Sequence, residues 1–347
     1  MSAAPRVSPS RYSRQERLAG IGEQGQRAIC RSTVLIVGLG ALGTHSATSL
    51  ARAGVGRLLL CDRDIVDLGN LQRQVLFTEA DARDGTPKAV AAARALAAAN
   101  STIAIEPLVA HCSRAFLDEL PARPDLVLDG TDNFATRYLL NDWSRRHGVP
   151  WIYAGAVGGE GAAMVVRPDG PCLRCLWPEA PAAHDVGTCE TVGVLEPAIA
   201  AVTAFQTAEA LKLLSGNASA ATRGVFTCDV WRGSYAVLGA ATPPSPDCPV
   251  CTGRDHPALA AAPPQAAVLC GRDAVQIDLP HRAALDLDAL ARRLDGVVGD
   301  LERTRHYLRF AADGVSVRVF PGGRALLFGV QDPLRARALY DRWIGTS

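Results

Sequence analysis

Four of the ten cysteines in this 347-residue chain form two C-x-x-C pairs, Cys172-Leu173-Arg174-Cys175 and Cys248-Pro249-Val250-Cys251. Two such knuckles supply four thiolates, the donor set of a closed, structural Zn2+ site. Their separation exceeds usual zinc-ribbon spacing, so a redox pair or incidental cysteines stand as alternatives. Cys189 lies apart, after the Pro-, Ala- and Gly-rich stretch 177–188 and before a helical run from Pro197 to Leu214. A thiol near a helix start can have a lowered pKa and act as a nucleophile; it can equally be a spare cysteine.

A second constellation begins at Val34–Val37, an apolar β-branched run, followed by Gly38-Leu39-Gly40-Ala41-Leu42-Gly43 and a helical stretch. The next apolar run, Arg57–Cys61, ends on Asp62. Strand, glycine turn, helix, strand and acid together make a nucleotide site. Gly38, Gly40 and Gly43 let backbone N–H groups approach a phosphate at a helix N-terminus, and Asp62 can accept from ribose hydroxyls. Which nucleotide binds is left open by this pattern.

The polar stretch that follows contains Asn70, Arg73 and Gln74 near the carboxyl edge of the expected sheet. Arg73 can neutralise phosphate oxygens bidentately or sit as a solvated surface residue. Lys88 opens an Ala-rich helix to Ala99, with Thr86 expected as N-cap and Pro87 at the first helical position. A cation there opposes the helix dipole and calls for an anion. The strand Asp125–Asp129 runs into Gly130-Thr131-Asp132-Asn133, where Asp132 can hold Mg2+ beside a triphosphate, or cap the helix through Asn141, or both.

These groups need an α/β frame: a Rossmann-like, mostly parallel sheet flanked by helices, with a zinc-binding excursion. Helix Leu18–Cys30, strand Thr102–Glu106, helix Leu117–Leu120 and strands Trp151–Val157, Gly161–Arg167, Arg223–Asp229 and Ser234–Leu238 complete it. Residues 1–256 are expected to form one domain, 257–267 a Pro/Ala-rich linker and 268–347 a small α+β domain. Cys270-Gly271-Arg272 superficially matches a sulfurtransferase loop, but it lies at the entrance of a module too small for that chemistry. A net charge of +1 offers no field for nucleic acid or an anionic membrane. With no apolar run of membrane-spanning length and no leader-like start, a cytoplasmic setting is expected.

Taken together, RYSRQ at 11–15, the glycine turn, Asp62, NLQRQ at 70–74, Pro87-Lys88, GTDN at 130–133, both knuckles and CETVGV at 189–194 resemble the ThiF/MoeB family. Those adenylyltransferases activate ubiquitin-like sulfur carriers for thiamine thiazole and molybdopterin synthesis. The resemblance spans about Tyr12 to Cys251.

By position, it implies ATP as the nucleotide, with Asp62 on the ribose, Asn70, Arg73 and Lys88 on the phosphates and Mg2+ on Asp132. It implies Zn2+ on Cys172, Cys175, Cys248 and Cys251, and Arg14 acting in the partner subunit of a homodimer. Cys189 corresponds to the family's loop cysteine, which can be thiolated or link covalently to the carrier. The implied partners are a carrier ending in Gly-Gly and a cysteine desulfurase or sulfurtransferase, with tRNA thiolation as a further end use. His45 departs from the small residue usual there, which questions the packing behind the glycine turn. The segment after Ala266 resembles an extension found on some thiazole-type members. A nicotinamide oxidoreductase, or a scaffold that binds without turnover, are the competing readings.

Overall fold

The computed structural model describes residues 11–179, 192–239, 243–261, 266–269, 274–277 and 285–345. The chain divides into two compact units between Ala261 and Ala262.

The first unit begins with helices α1 (Ser13–Glu16) and α2 (Gly22–Ile29), then β1 (Thr33–Val37), α3 (Ala41–Ala53) and β2 (Arg57–Cys61). A polar segment with a 3-10 turn at Leu68–Asn70 leads to α4 (Glu79–Arg83), α5 (Lys88–Ala99) and β3 (Ala104–Leu108). Next come α6 (Arg114–Asp118), β4 (Leu126–Asp129), α7 (Phe134–His147), β5 (Trp151–Val157) and β6 (Glu160–Val166). The unit closes with α8 (Leu173–Leu176), α9 (Glu196–Leu214), β7 (Val225–Asp229), β8 (Ser234–Leu238) and α10 (Pro257–Ala260).

The eight strands form one sheet in the order β3-β2-β1-β4-β5-β6-β7-β8. Pairings from β3 through β5 are parallel and those from β5 to β8 antiparallel. Val34 and Ile36 point into a core with Leu50 of α3, Leu96 of α5 and Ala210 of α9. Leu35 and Val37 point the other way, into a core with Leu140 and Trp143 of α7 and with Cys172 and Cys248. Burial on both faces explains why β1, β2 and β4 read as continuous apolar runs. The order reverses between β1 and β4, so a crevice opens at their carboxyl ends.

The second unit contains β9 (Ala266–Leu269), β10 (Ala274–Ile277), α11 (Leu287–Leu294), β11 (Gly299–Arg303), β12 (Leu308–Ala312), β13 (Val315–Val319), β14 (Ala325–Phe328) and α12 (Pro333–Trp343). Its strands form an antiparallel sheet, β11-β12-β13-β14-β10-β9. Leu290 and Tyr340 of the two helices pack with Val275, Phe310, Val317 and Leu327 on one sheet face.

Several expected boundaries move. The span 18–30 is helical only over α2, after a turn. Thr86 does not cap α5: Pro87 is the cap residue and Lys88 the first helical one. Asp132 does not cap α7, because the adjacent Asn133 side chain accepts from Thr136 N–H at 2.9 Å. The span 257–267 is not bare linker, since it holds α10 and the start of β9.

Candidate nucleotide and metal sites

The glycine turn joins β1 to α3 at the crevice. Gly38 has φ +86°, and a Cβ there would meet the Gly130 carbonyl at 2.6 Å. A Cβ on Gly43 would drive into the Gly38 carbonyl, and one on Gly130 into the same oxygen. The turn after β1 and the turn after β4 are thus locked together, backbone on backbone. Gly40 differs, because a Cβ there would find nothing nearer than the Gly130 oxygen at 3.8 Å and Gln74 Nε2 at 4.0 Å. Its glycine leaves a cradle above the first turn of α3, whose N–H groups have no intrahelical acceptors. Gln74 borders the cradle, 4 % exposed, and its Oε1 is buried without a hydrogen-bond partner. An open helix N-terminus beside an orphaned amide fits a nucleotide phosphate and its attached sugar.

Asp62 closes one side. Its Oδ2 accepts from Leu39 N–H at 2.6 Å and its Oδ1 from Asp64 N–H at 2.7 Å. Each oxygen keeps a second lone pair, so a ribose hydroxyl can still donate to it. Burial raises the Asp62 pKa, and the Lys88 ammonium pulls it back. The Lys88 side chain is almost wholly buried, with Nζ 3.5 Å from Asp64 Oδ2. The anion that its place in the helix calls for is, in this structure, a carboxylate.

Asn70 is buried, and its Oδ1 accepts from Asp67 N–H at 3.1 Å. Asp67 Oδ1 in turn accepts from Gly69 N–H at 3.0 Å, which fixes the 3-10 turn. Arg73 lies at the end of that turn, half-buried, with Nη1 donating to the Gly69 carbonyl at 2.9 Å.

Asp132 is exposed, and its Oδ1 lies 3.4 Å from Asn133 Nδ2. Beneath it is a buried pair that charge reading of the sequence missed, Asp129 and Arg137, with Nε donating to Oδ2 at 3.1 Å. Gln206 of α9 was missed too, donating to the Asp129 carbonyl at 2.9 Å and the Ile152 carbonyl at 3.0 Å. The available signal was an Arg falling on the inner face of α7.

Arg14 is not brought to the glycine turn of its own chain. Gln15 Nε2 donates to the Ala53 carbonyl at 3.1 Å, and Asn100 Nδ2 donates to Tyr12 Oη at 2.9 Å. Both anchors lie at the C-terminal ends of α3 and α5. The 13 residues of α3 carry that end about 20 Å from the turn, at roughly 1.5 Å per residue.

Cys172, Cys175, Cys248 and Cys251 have all four Sγ atoms within 4.8 Å of one another, the one such cluster among the described residues. Sγ separations are 3.6 Å for 172–248, 3.4 Å for 175–251 and 4.0 Å for 172–175. These are too long for disulfides and close to the ~3.8 Å edge of a tetrahedron with ~2.3 Å Zn–S bonds. The donor set fits Zn2+.

Cys189 lies outside the described residues. At the β5–β6 turn, Gly158 N–H donates to the Gly193 carbonyl and Leu195 N–H to the Gly158 carbonyl, both at 2.8 Å. His45 finds its place here, with Nε2 3.3 Å from Glu196 Oε1 in the first turn of α9. Burial lowers its pKa, and Glu196 partly offsets the effect.

Glycine turn, strand-end acids and paired cysteine knuckles on a sheet that is parallel and then antiparallel define an E1-like enzyme fold. Residues 12–250 match the ThiF family, and the chain belongs to it. It is 39% identical over 337 residues to the sulfur carrier protein ThiS adenylyltransferase of Bacillus subtilis, covering 96% of this chain and 99% of that one. It is 41% identical over 248 residues to the Escherichia coli protein of the same name, covering 70% of this chain and 95% of that one. A crystal structure of E. coli MccB with MccA-N7isoASN shares the fold, with TM-score 0.62 at 22% identity over 71% of this chain and 75% of that one. The long Bacillus match necessarily runs through most of the second unit.

Proposed function

We propose that the protein uses ATP to adenylylate the C-terminal glycine of a ubiquitin-like sulfur-carrier protein, releasing pyrophosphate. The observation that carries this reading is the end-to-end similarity to a ThiS adenylyltransferase, joined to the open cradle at Gly40. Sulfur then passes toward thiamine, molybdopterin or thiolated tRNA, with a desulfurase or sulfurtransferase as the donor's source. The reaction belongs in the cytoplasm, where a reducing pool keeps the four knuckle thiols available to zinc.

The mechanism follows from charge. A carboxylate is a poor acyl donor, and its attack on the α-phosphorus of ATP converts it to an acyl-adenylate. No general base is required, since the nucleophile is already ionised. Negative charge gathers on phosphate oxygens in the transition state, so fixed cations lower the barrier. Arg73, half-buried, precedes the Gln74 that borders the cradle, and Lys88 has an ammonium-to-carboxylate contact at 3.5 Å that polyphosphate oxygens can share. Asn70 orders the turn that carries Arg73, Gln74 presents its amide, and Asp62 holds the ribose. Asp132 would hold Mg2+, which supplies further neutralisation of the triphosphate when bound.

Arg14 would act on the partner subunit's nucleotide in a homodimer, a reading supported by its distance from its own glycine turn. The four knuckle cysteines would hold Zn2+ as a purely structural tie. Cys189 would act after adenylation, when a thiol can attack the acyl-adenylate and expel AMP. Exchange of labelled pyrophosphate into ATP, dependent on a carrier ending in Gly-Gly, tests the reading. A thermal shift with NAD but none with ATP would return the nicotinamide alternative.

A further inference from the structure

The sheet parts at the carboxyl end of β4. Its ladder with β5 runs from Val127↔Trp151 to Leu128↔Ile152, after which β4 enters the turn 130–133 and β5 continues beside β6. Polar backbone groups left in such a gap must find other partners or destabilise the fold. Arg137 and Asp129 fill it. Arg137 Nη2 donates to the Thr131 carbonyl at 2.8 Å and the Ala154 carbonyl at 3.2 Å. Asp129 Oδ1 accepts from Thr131 N–H at 2.8 Å and Thr131 Oγ1 at 2.6 Å. The guanidinium carbon lies 5.1 Å from the ring centres of both Phe134 and Tyr153.

A buried ion pair of this kind contributes little net stability, because desolvating two charges offsets most of their attraction. Its value is geometric. The pair fixes Thr131 by backbone N–H, carbonyl and hydroxyl at once. The next residue is Asp132, whose Oδ1 lies 3.4 Å from Asn133 Nδ2 and whose charge is felt by the Arg137 guanidinium. On the other side, Gly130 N–H donates to the Val37 carbonyl at 2.8 Å, at the head of the glycine turn. We infer that Arg137 is a positioning residue for the metal–nucleotide site: through Asp129 and Thr131 it holds the Asp132 carboxylate at a fixed distance from the glycine turn. The inference rests on the proposed role of Asp132 and adds how that carboxylate is held.

Lysine at 137 keeps the charge but offers one nitrogen where arginine spans a carboxylate and two carbonyls. The test is calorimetric ATP affinity, with Mg2+ and with EDTA, for the wild type, Arg137→Lys, Asp129→Asn and Asp132→Asn. The wild type should bind ATP more tightly with Mg2+. Arg137→Lys and Asp129→Asn should lose that gain by about 10-fold or more, the usual effect of removing a group that orients a metal ligand. Their affinity in EDTA should stay within about twofold of wild type, because neither side chain lines the cradle at Gly40. If either variant folds and keeps the full Mg2+-dependent gain while melting lower, Arg137 is structural only and the inference fails. If the wild type gains nothing from Mg2+ and Asp132→Asn matches it, the role of Asp132 fails first and the inference with it.

Discussion

Lys88 Nζ and Asp64 Oδ2 stand 3.5 Å apart, the lysine almost wholly buried. Lys88 N–H also donates to the Asp64 carbonyl at 2.8 Å, so side chain and backbone hold the same two residues together. A buried ammonium is tolerated here because a carboxylate faces it. Lys88→Ala should therefore weaken ATP binding and remove the ammonium that faces Asp64. Pyrophosphate exchange should fall about 10²-fold, the scale of losing one fixed donor to a transition-state oxyanion. Lys88→Arg should recover little, since the larger fork does not fit the same buried position.

Gly40 gives a test that leaves every charge in place. A Cβ at Gly38 or Gly43 collides with backbone, so those substitutions should unfold the turn. Gly40→Ala meets nothing closer than 3.8 Å and should melt within a degree or two of wild type. It should nonetheless raise the KM for ATP about tenfold or more, because the methyl group occupies the phosphate approach. Equal KM values in the two proteins would show that the nucleotide does not lie over this turn.

The strands of the first unit were legible because both faces of the sheet are buried, so β1, β2 and β4 appear as unbroken apolar runs. The knuckle cysteines were legible as candidate metal ligands by residue type, but only the fold brings knuckles 76 residues apart within contact. Helix starts were less secure, for local reasons. Asp132 and Asn133 are adjacent, and both are good caps; the structure gives the cap to Asn133. Thr86 is pushed toward extended backbone by the proline after it, and α5 begins at Lys88. Strand β11, GDLER, is polar and mostly exposed, so alternation could not reveal it. Arg137 was invisible because a charged residue reads as surface, whereas here a gap between strands requires its guanidinium.

The cysteine cluster should carry about one Zn2+ per chain by elemental analysis, as expected for a single tetrahedral site. Cys172→Ser should lose the metal and lower the melting temperature, since metal affinity here is folding free energy. Metal-free wild-type protein of unchanged stability would remove the site.

His45 sets a pH dependence. Burial holds its pKa below the ordinary value near 6.5, so the folded state favours the neutral ring. A depressed folded pKa contributes stability above the unfolded value that is lost as pH falls through it. Melting temperature should therefore drop between pH 7.5 and 5.5 more in wild type than in His45→Gln. Parallel pH profiles would show that Glu196 offsets the burial completely.

The dimer is tested by mixing subunits. Arg14→Ala and Arg73→Ala should each be nearly inactive alone. Random re-pairing should restore about a quarter of wild-type exchange, since half the dimers of a two-fold assembly are mixed and each has one intact site. No recovery in confirmed mixed dimers would show that Arg14 does not act across the interface.

Carrier-dependent exchange of labelled pyrophosphate into ATP tests adenylylation most directly. The account predicts exchange only when a carrier ending in Gly-Gly is present. It also predicts loss of that exchange by about 10²-fold or more in Arg73→Ala. Full exchange in Arg73→Ala, or none in wild-type protein with a bound carrier, would contradict it.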